Sequence, residues 1–359
     1  MRRLPAALVL PLALLLGTAT LATASPSAQA ADGVRAERPA SQQVASRGIV
    51  FDLVNAPYGL VETLSGCPAD RRSHRVVARL VGPRQVVRGR AGTSTANVLV
   101  HDAGTGAWFW NLRSAPSLDY ATQLARRGQT SVVLDRLGYG RSALRDGKRT
   151  CLDAQAHMLG QVVQHLRAGK FTYADGRGGS TQHFTKVVLQ GHGTGALLSQ
   201  LAAARYPAIA GVVLMSPPST SPTSAALGLL GQQGRACLTA SFAPFGASAT
   251  DFKNILFASA PRAVQNTAAA LRNSTPCGDV SSTAGALLAS VLPTGTIPRD
   301  VPVLRLVGAR DALFPRGDVH TGTSARTTTR VFARSGNALP LERDAAAVRG
   351  AVLRFLRTL

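Results

Sequence analysis

The chain has 359 residues, 45% of them hydrophobic, and carries 40 Lys and Arg against 18 Asp and Glu for a formal charge of +22. That length suits one large α/β domain with an insertion. The charge comes almost wholly from arginine and is densest over Arg71 to Arg90, but no stacked aromatics or nucleic-acid motif accompany it. Nucleic acid is therefore excluded as a partner, and an anionic envelope polymer or a plain solvated arginine face is left.

Residues 1–30 read as a secretory signal: Arg2 and Arg3, then Leu4 to Leu16, then a small-x-small site at Ala28-Gln29-Ala30. An uncleaved anchor is the competing reading, which Pro5 and Pro11 disfavour. No later segment is long and apolar enough to span a bilayer, so the chain is expected to be secreted and extracellular. Residues 31–47 form an expected flexible leader, rich in polar and small residues. Gly48 to Arg90 alternates apolar and basic residues, predicting two or three antiparallel strands.

Short apolar strands spaced by helices follow. They fall at Asn97 to His101, Ser131 to Asp135, Lys186 to Gln190, Gly211 to Met215, Val303 to Val307 and Thr329 to Phe332. Buried parallel strands have this character. Leu152, Ala156, Leu159, Val163 and Leu166 line one helical face, with Thr150 a candidate N-cap. A last helix sets Ala345, Val348, Val352 and Phe355 on one side. Residues 217–301 break the alternation and read as a helical cap inserted between core parts 48–216 and 302–359. Within it, Pro261 to Arg272 and Ala284 to Leu292 are helical. Four cysteines in an exported chain suggest two disulfides; three pairings exist, and chain order favours Cys67 with Cys151 and Cys237 with Cys277. No metal-ligand spacing or cofactor is implied.

Lys186 to Pro207, KVVLQGHGTGALLSQLAAARYP, reads as strand, tight turn and helix. Gly191, Gly193 and Ala196 fit the dinucleotide fingerprint G-x-G-x-x-G/A. That reading needs an acidic residue ending the next strand, and Gly211 to Met215 runs into Ser216-Pro217 instead. Gly191 and Gly195 also fit the nucleophile elbow G-x-S-x-G, with Gly193 in the serine's place.

From Thr95 to Leu359 the chain resembles capped, exported members of the α/β-hydrolase family, on five motifs in order. Leu99 to Gly106 (LVHDAGTG) resembles the oxyanion loop, Leu134 to Ser142 (LDRLGYGRS) the next strand-end loop, and Gly191 to Gly195 (GHGTG) the elbow. Val307 to Asp311 (VGARD) resembles the strand end bearing the catalytic acid, and Ser335 to Ala338 (SGNA) the segment bearing the catalytic histidine. The resemblance implies an α/β-hydrolase fold: a mostly parallel sheet covered by helices, with a helical cap between two strands. It also implies an ester-hydrolase site with oxyanion amides at Ala103 and Thr194.

Three positions depart from that site. Gly193 leaves the nucleophile position without a side chain, and Asn337 puts an amide where a base should stand. Asp311 keeps the acid position and is expected to accept from the Asn337 amide. Asp102 replaces the glycine usual after His101, where a carboxylate would oppose a developing oxyanion. Gly193 is also expected to relieve elbow strain and open the pocket floor. Thr194, Ser199, His101, His192, His157, His165 and His320 are the candidate substitutes, and His320 is the least implausible base. Trp108, Trp110 and Tyr139 either line the pocket or pack beneath the cap.

The reading is an exported α/β-hydrolase-like protein without a working triad, binding a small, mainly apolar or ester-like ligand or an envelope partner. The alternative is an active ester hydrolase with a non-standard nucleophile or base. On this reading, Gly193→Ser with Asn337→His restores ester hydrolysis.

Overall fold

The computed structural model describes residues 43–58, 67–90, 95–177, 182–315 and 324–359. The signal segment, most of the expected leader and His320 lie outside the described residues.

Strands β1 (Val44–Val54) and β2 (Ser73–Pro83) pair antiparallel from Val44↔Pro83 to Val54↔Ser73. Their alternate residues Ile49, Phe51, Leu53, Val76, Ala78 and Leu80 are buried, as the two-residue period of a strand requires. β1 thus begins inside residues 31–47, where a leader was expected. Its first residues are small and polar in composition, but the β2 backbone out to Pro83 offers them a partner. Arg84–Val87 forms a short helix, α1, rather than a third strand.

The winding part follows as β3 (Thr95–Val100), α2 (Tyr120–Ala125), β4 (Ser131–Leu134), α3 (Leu152–Ala168), β5 (Thr172–Tyr173), β6 (Lys186–His192), α4 (Thr194–Arg205) and β7 (Ile209–Met215). The insertion holds α5 (Ser224–Thr239), β8 (Phe242–Pro244), α6 (Ala249–Leu256), α7 (Arg262–Ala270), β9 (Ser274–Pro276) and α8 (Cys277–Val291). The chain closes with β10 (Val303–Gly308), β11 (Thr327–Phe332) and α9 (Ala345–Leu356).

The main sheet runs β11-β10-β7-β6-β3-β4-β2-β1-β5, parallel from β4 to β11 and antiparallel at the β2-β1-β5 end. Helices cover both faces. Val98 and Val100 of β3 join a core with α3 and α4, while Leu99 joins another with α2 and α9. Strand β3 neighbours both β4 and β6, so the winding reverses between β3 and β6. Reversals of this kind leave a crevice beyond the carboxyl ends of the strands. The ends of β3 and β6 meet there, Val100 opposite Gly191.

The N-cap of α3 is Cys151, whose sulfur accepts from Ala154 N, and not Thr150, which is turned to Asn55. Cys151 is bonded to Cys67 and Cys237 to Cys277, with Cα separations of 5.6 and 5.5 Å. The pairing expected from chain order is the one present. Between β8 and β9 lies a two-stranded antiparallel sheet absent from the sequence expectation. No helix among the described residues is long and apolar enough to cross a membrane.

Candidate functional site

The elbow is built by three glycines with different duties. Gly191 and Gly195 have no room for a Cβ, because the backbone of α4 lies against Gly191 and the β3 carbonyls of Val100 and His101 lie against Gly195. Gly193 takes φ 54° and ψ −123°, a left-handed region that favours glycine, and its N–H donates to Met215 O at 3.0 Å. The sharp bend of a nucleophile elbow is therefore kept without the nucleophile.

The carboxylate of Asp102 lies directly over Gly193. Its Oδ1 accepts from Ala103 N–H at 2.7 Å and from Thr194 N–H at 2.6 Å. These are the two amides that the family resemblance assigns to the oxyanion. Thr194 is the first residue of α4, so the helix terminus adds its favourable field for an anion. A Cβ built on Gly193 would fall within this carboxylate. The expectation that Gly193 opens the pocket floor is thus corrected: the space the serine would take is filled by Asp102, only 4% exposed.

On the other side of the elbow, Asn337 Nδ2 donates to Asp311 Oδ2 at 3.0 Å, as expected. Asp311 Oδ1 accepts from Leu313 N–H and Phe314 N–H at 2.8 and 3.1 Å. Burial pushes the Asp311 carboxyl above the usual carboxylate range, although these bonds and Asn337 oppose the shift. The main-chain oxygen of Asn337 accepts from His192 Nε2 at 3.0 Å and from Ser216 Oγ at 2.8 Å. Asn337 Oδ1 is buried without a partner.

Other candidate bases and nucleophiles are occupied elsewhere. His101 Nε2 accepts from Arg136 N–H at 3.1 Å, which leaves Nδ1–H to donate to Asp102 O at 2.8 Å. Burial, with the Arg136 charge adding to it, holds this imidazole well below its ordinary pKa, so it stays neutral in one tautomer. His192 stacks on Phe109, ring centroids 4.3 Å apart. His157 and His165 sit on α3 against Tyr58 and Phe51. Ser199 Oγ donates to Gly195 O within α4.

Asp102, Ala103, Gly193, Thr194 and Asn337 line one cavity of about 130 Å³ between the strand ends and the cap. Its walls are apolar: Leu229, Leu230, Phe245, Val280, Leu287, Leu313 and Phe314 contribute. The aromatic residues suggested for the pocket are not among them. Trp110 is fully buried against Tyr120 and His192 behind the floor. Trp108 borders a separate surface groove with Arg79, Arg113 and Arg141. Tyr139 donates to Asp279 Oδ2 and packs edge-on to His101.

A buried cluster joining core to cap went unnoticed in the sequence. Arg136 Nη2 meets Asp279 Oδ2 at 2.8 Å, both side chains 2% exposed. Gln155 Nε2 donates to Asp279 Oδ1 at 2.6 Å. Burial opposes the charge on Arg136, but Tyr139 and Asp279 outweigh it and raise its pKa. Its only sequence signal is that Arg136 sits inside the conspicuous D-x-x-G-x-G-x-S loop.

The profile of the alpha/beta hydrolase family matches residues 98–351. No curated protein matches in sequence. Solved structures supply similar folds. A thermophilic esterase from Thermogutta terrifontis is 19% identical with a TM-score of 0.57, covering 86% of this chain and 98% of its own. The monoacylglycerol lipase of Paleococcus ferrophilus is 20% identical with a TM-score of 0.52, covering 73% and 93%. An esterase from Exiguobacterium antarcticum is 15% identical with a TM-score of 0.52, covering 81% and 98%. The winding order, the elbow and the matched profile together place this chain in the alpha/beta hydrolase family.

Proposed function

We propose that this chain is an exported, catalytically silent member of its family that binds a small, mainly apolar ligand beneath its cap. One observation carries the reading. Asp102 Oδ1 takes up both amides that would stabilise an oxyanion, at the residue opposite a glycine where the nucleophile belongs. Acyl transfer needs a nucleophile, a base and oxyanion donors. Here the first is glycine, the second an amide, and the third already hold a carboxylate. The two nearest hydroxyls do not supply a substitute: Ser216 Oγ donates to a carbonyl, and no imidazole among the described residues bonds Thr194. The apolar cavity supports the binding half of the reading. The signal-like start and two disulfides support export.

Incubating the full chain with a fluorophosphonate probe and with short-chain nitrophenyl esters tests the silence. The expected result is no stoichiometric label and hydrolysis at the level of an Asp311→Ala control. Stoichiometric labelling of any serine or threonine would overturn it.

A further inference from the structure

The floor of the cavity carries two acceptor atoms without a partner among the described residues, one on Asp102 and one on Asn337. Asp102 Oδ1 is occupied by the two amides, while Oδ2 accepts no hydrogen bond from any described residue. Asn337 lines the same cavity and turns Nδ2 to Asp311. An ionised carboxylate only accepts, so the NH₂ must face Asp311 and Oδ1 must face away. That Oδ1 belongs to a residue 1% exposed and has no partner. Of the donors beside these two atoms, the Ala103 and Thr194 amides are engaged by Asp102 and the Ser216 hydroxyl by Asn337 O; the Thr194 hydroxyl, which can donate or accept, completes the floor. Of the cavity's second carboxylate, Asp279, both oxygens are taken by Arg136, Tyr139 and Gln155. No ion pair among the described residues includes Asp102 or Asp311.

A buried acceptor without a partner is stabilised by a donor, and a buried carboxylate with one oxygen still unpaired gains further from a cationic one. We propose that the cavity takes a small apolar molecule bearing a protonated primary amine, whose N–H groups meet Asp102 Oδ2 and Asn337 Oδ1. This deepens the binding reading and rests on it. Size agrees: a cavity of roughly 150 Å³ holds benzene, and this one is about 130 Å³. Leu227 and Leu230 of α5 also line the cavity, 58% and 36% exposed, and give an apolar tail a way out to solvent. A fatty acid, the obvious ligand for a lipase-like cavity, would bring its carboxylate against the like charge of Asp102.

The test is a matched panel of benzyl, hexyl and decyl amines, alcohols and carboxylates, titrated into the full chain by calorimetry and thermal shift. Amines should bind at least about tenfold tighter than the matched carboxylates, since hydrogen bonds to charged partners are the stronger ones. Asp102→Asn keeps an acceptor for the two amides but turns a donor into the cavity, so it should abolish the preference for amines. Carboxylates or alcohols binding as tightly as amines, or an unchanged preference in Asp102→Asn, would overturn the amine assignment and leave ligand binding standing. If no member of the panel binds or stabilises the chain, both proposals fall. The basic exterior favours carboxylates at adventitious sites, which makes an amine preference the harder result to obtain by accident.

Discussion

Asp102 and Gly193 form one unit, because the Asp102 carboxylate fills the space that a side chain at 193 would need. Gly193→Ser places its Cβ inside the Asp102 carboxylate, and Asp102 cannot leave without stranding the Ala103 and Thr194 amides. The double change Gly193→Ser with Asn337→His, which the sequence alone recommends, should therefore give no gain in ester hydrolysis. Adding Asp102→Gly should raise the rate at least about 10²-fold above the double variant, since one oxyanion donor is worth about 10²–10³. Parallel assays of the two variants on a nitrophenyl ester check this. His101 supplies a second residue-scale prediction. It is buried neutral, so the unfolded chain binds more protons than the folded one below pH about 6.5, and stability falls as pH drops. Denaturation midpoints across pH 4.5–7.5 should show His101→Gln losing up to about 1.4 kcal/mol less per pH unit than the parent below pH about 6.5. What the sequence disclosed at this scale was identity at fixed motif positions, including Gly193 and Asn337. Where the Asp102 carboxylate goes was hidden, because its partner Thr194 stands 92 residues along the chain.

Among the elements, the cap is fastened rather than hinged at its α8 end. The Arg136–Asp279 pair, Leu152 N–H to Ser282 Oγ and the Cys237–Cys277 bridge all converge there. Asn273 at the edge of β9 bonds both Gly104 O and Thr105 O. Removing one ion of a buried pair leaves the other uncompensated, so Asp279→Ala should cost about 3–5 kcal/mol. Replacing both, Arg136→Met with Asp279→Leu, should cost far less. Urea denaturation of the single and double variants measures the difference. Helices α3, α7, α8 and α9 were legible because amphipathic periodicity runs over two or more turns. The β8–β9 pair was not, as three-residue strands carry no period. The start of β1 was masked for a related reason: pairing with β2, not composition, decides it.

At the scale of the molecule, the buried parallel strands followed from a series of short apolar runs separated by helices, and the disulfide pairing from order alone, while the order of the strands in the sheet was not read from the runs. The cavity's chemistry did not, since it depends on which polar atoms are already spent. A chain of formal charge +22 thus encloses a chamber lined with unspent acceptors. The seating of Asp102 has one further consequence. An enzyme that loses only its serine can regain it by a single codon change, but here any such reversion meets a steric block. Unseating Asp102 first brings no reward, because nothing then attacks a carbonyl. On the proposed reading, the changes that would build a working site must arrive together, so selection can refine the chamber apart from hydrolysis.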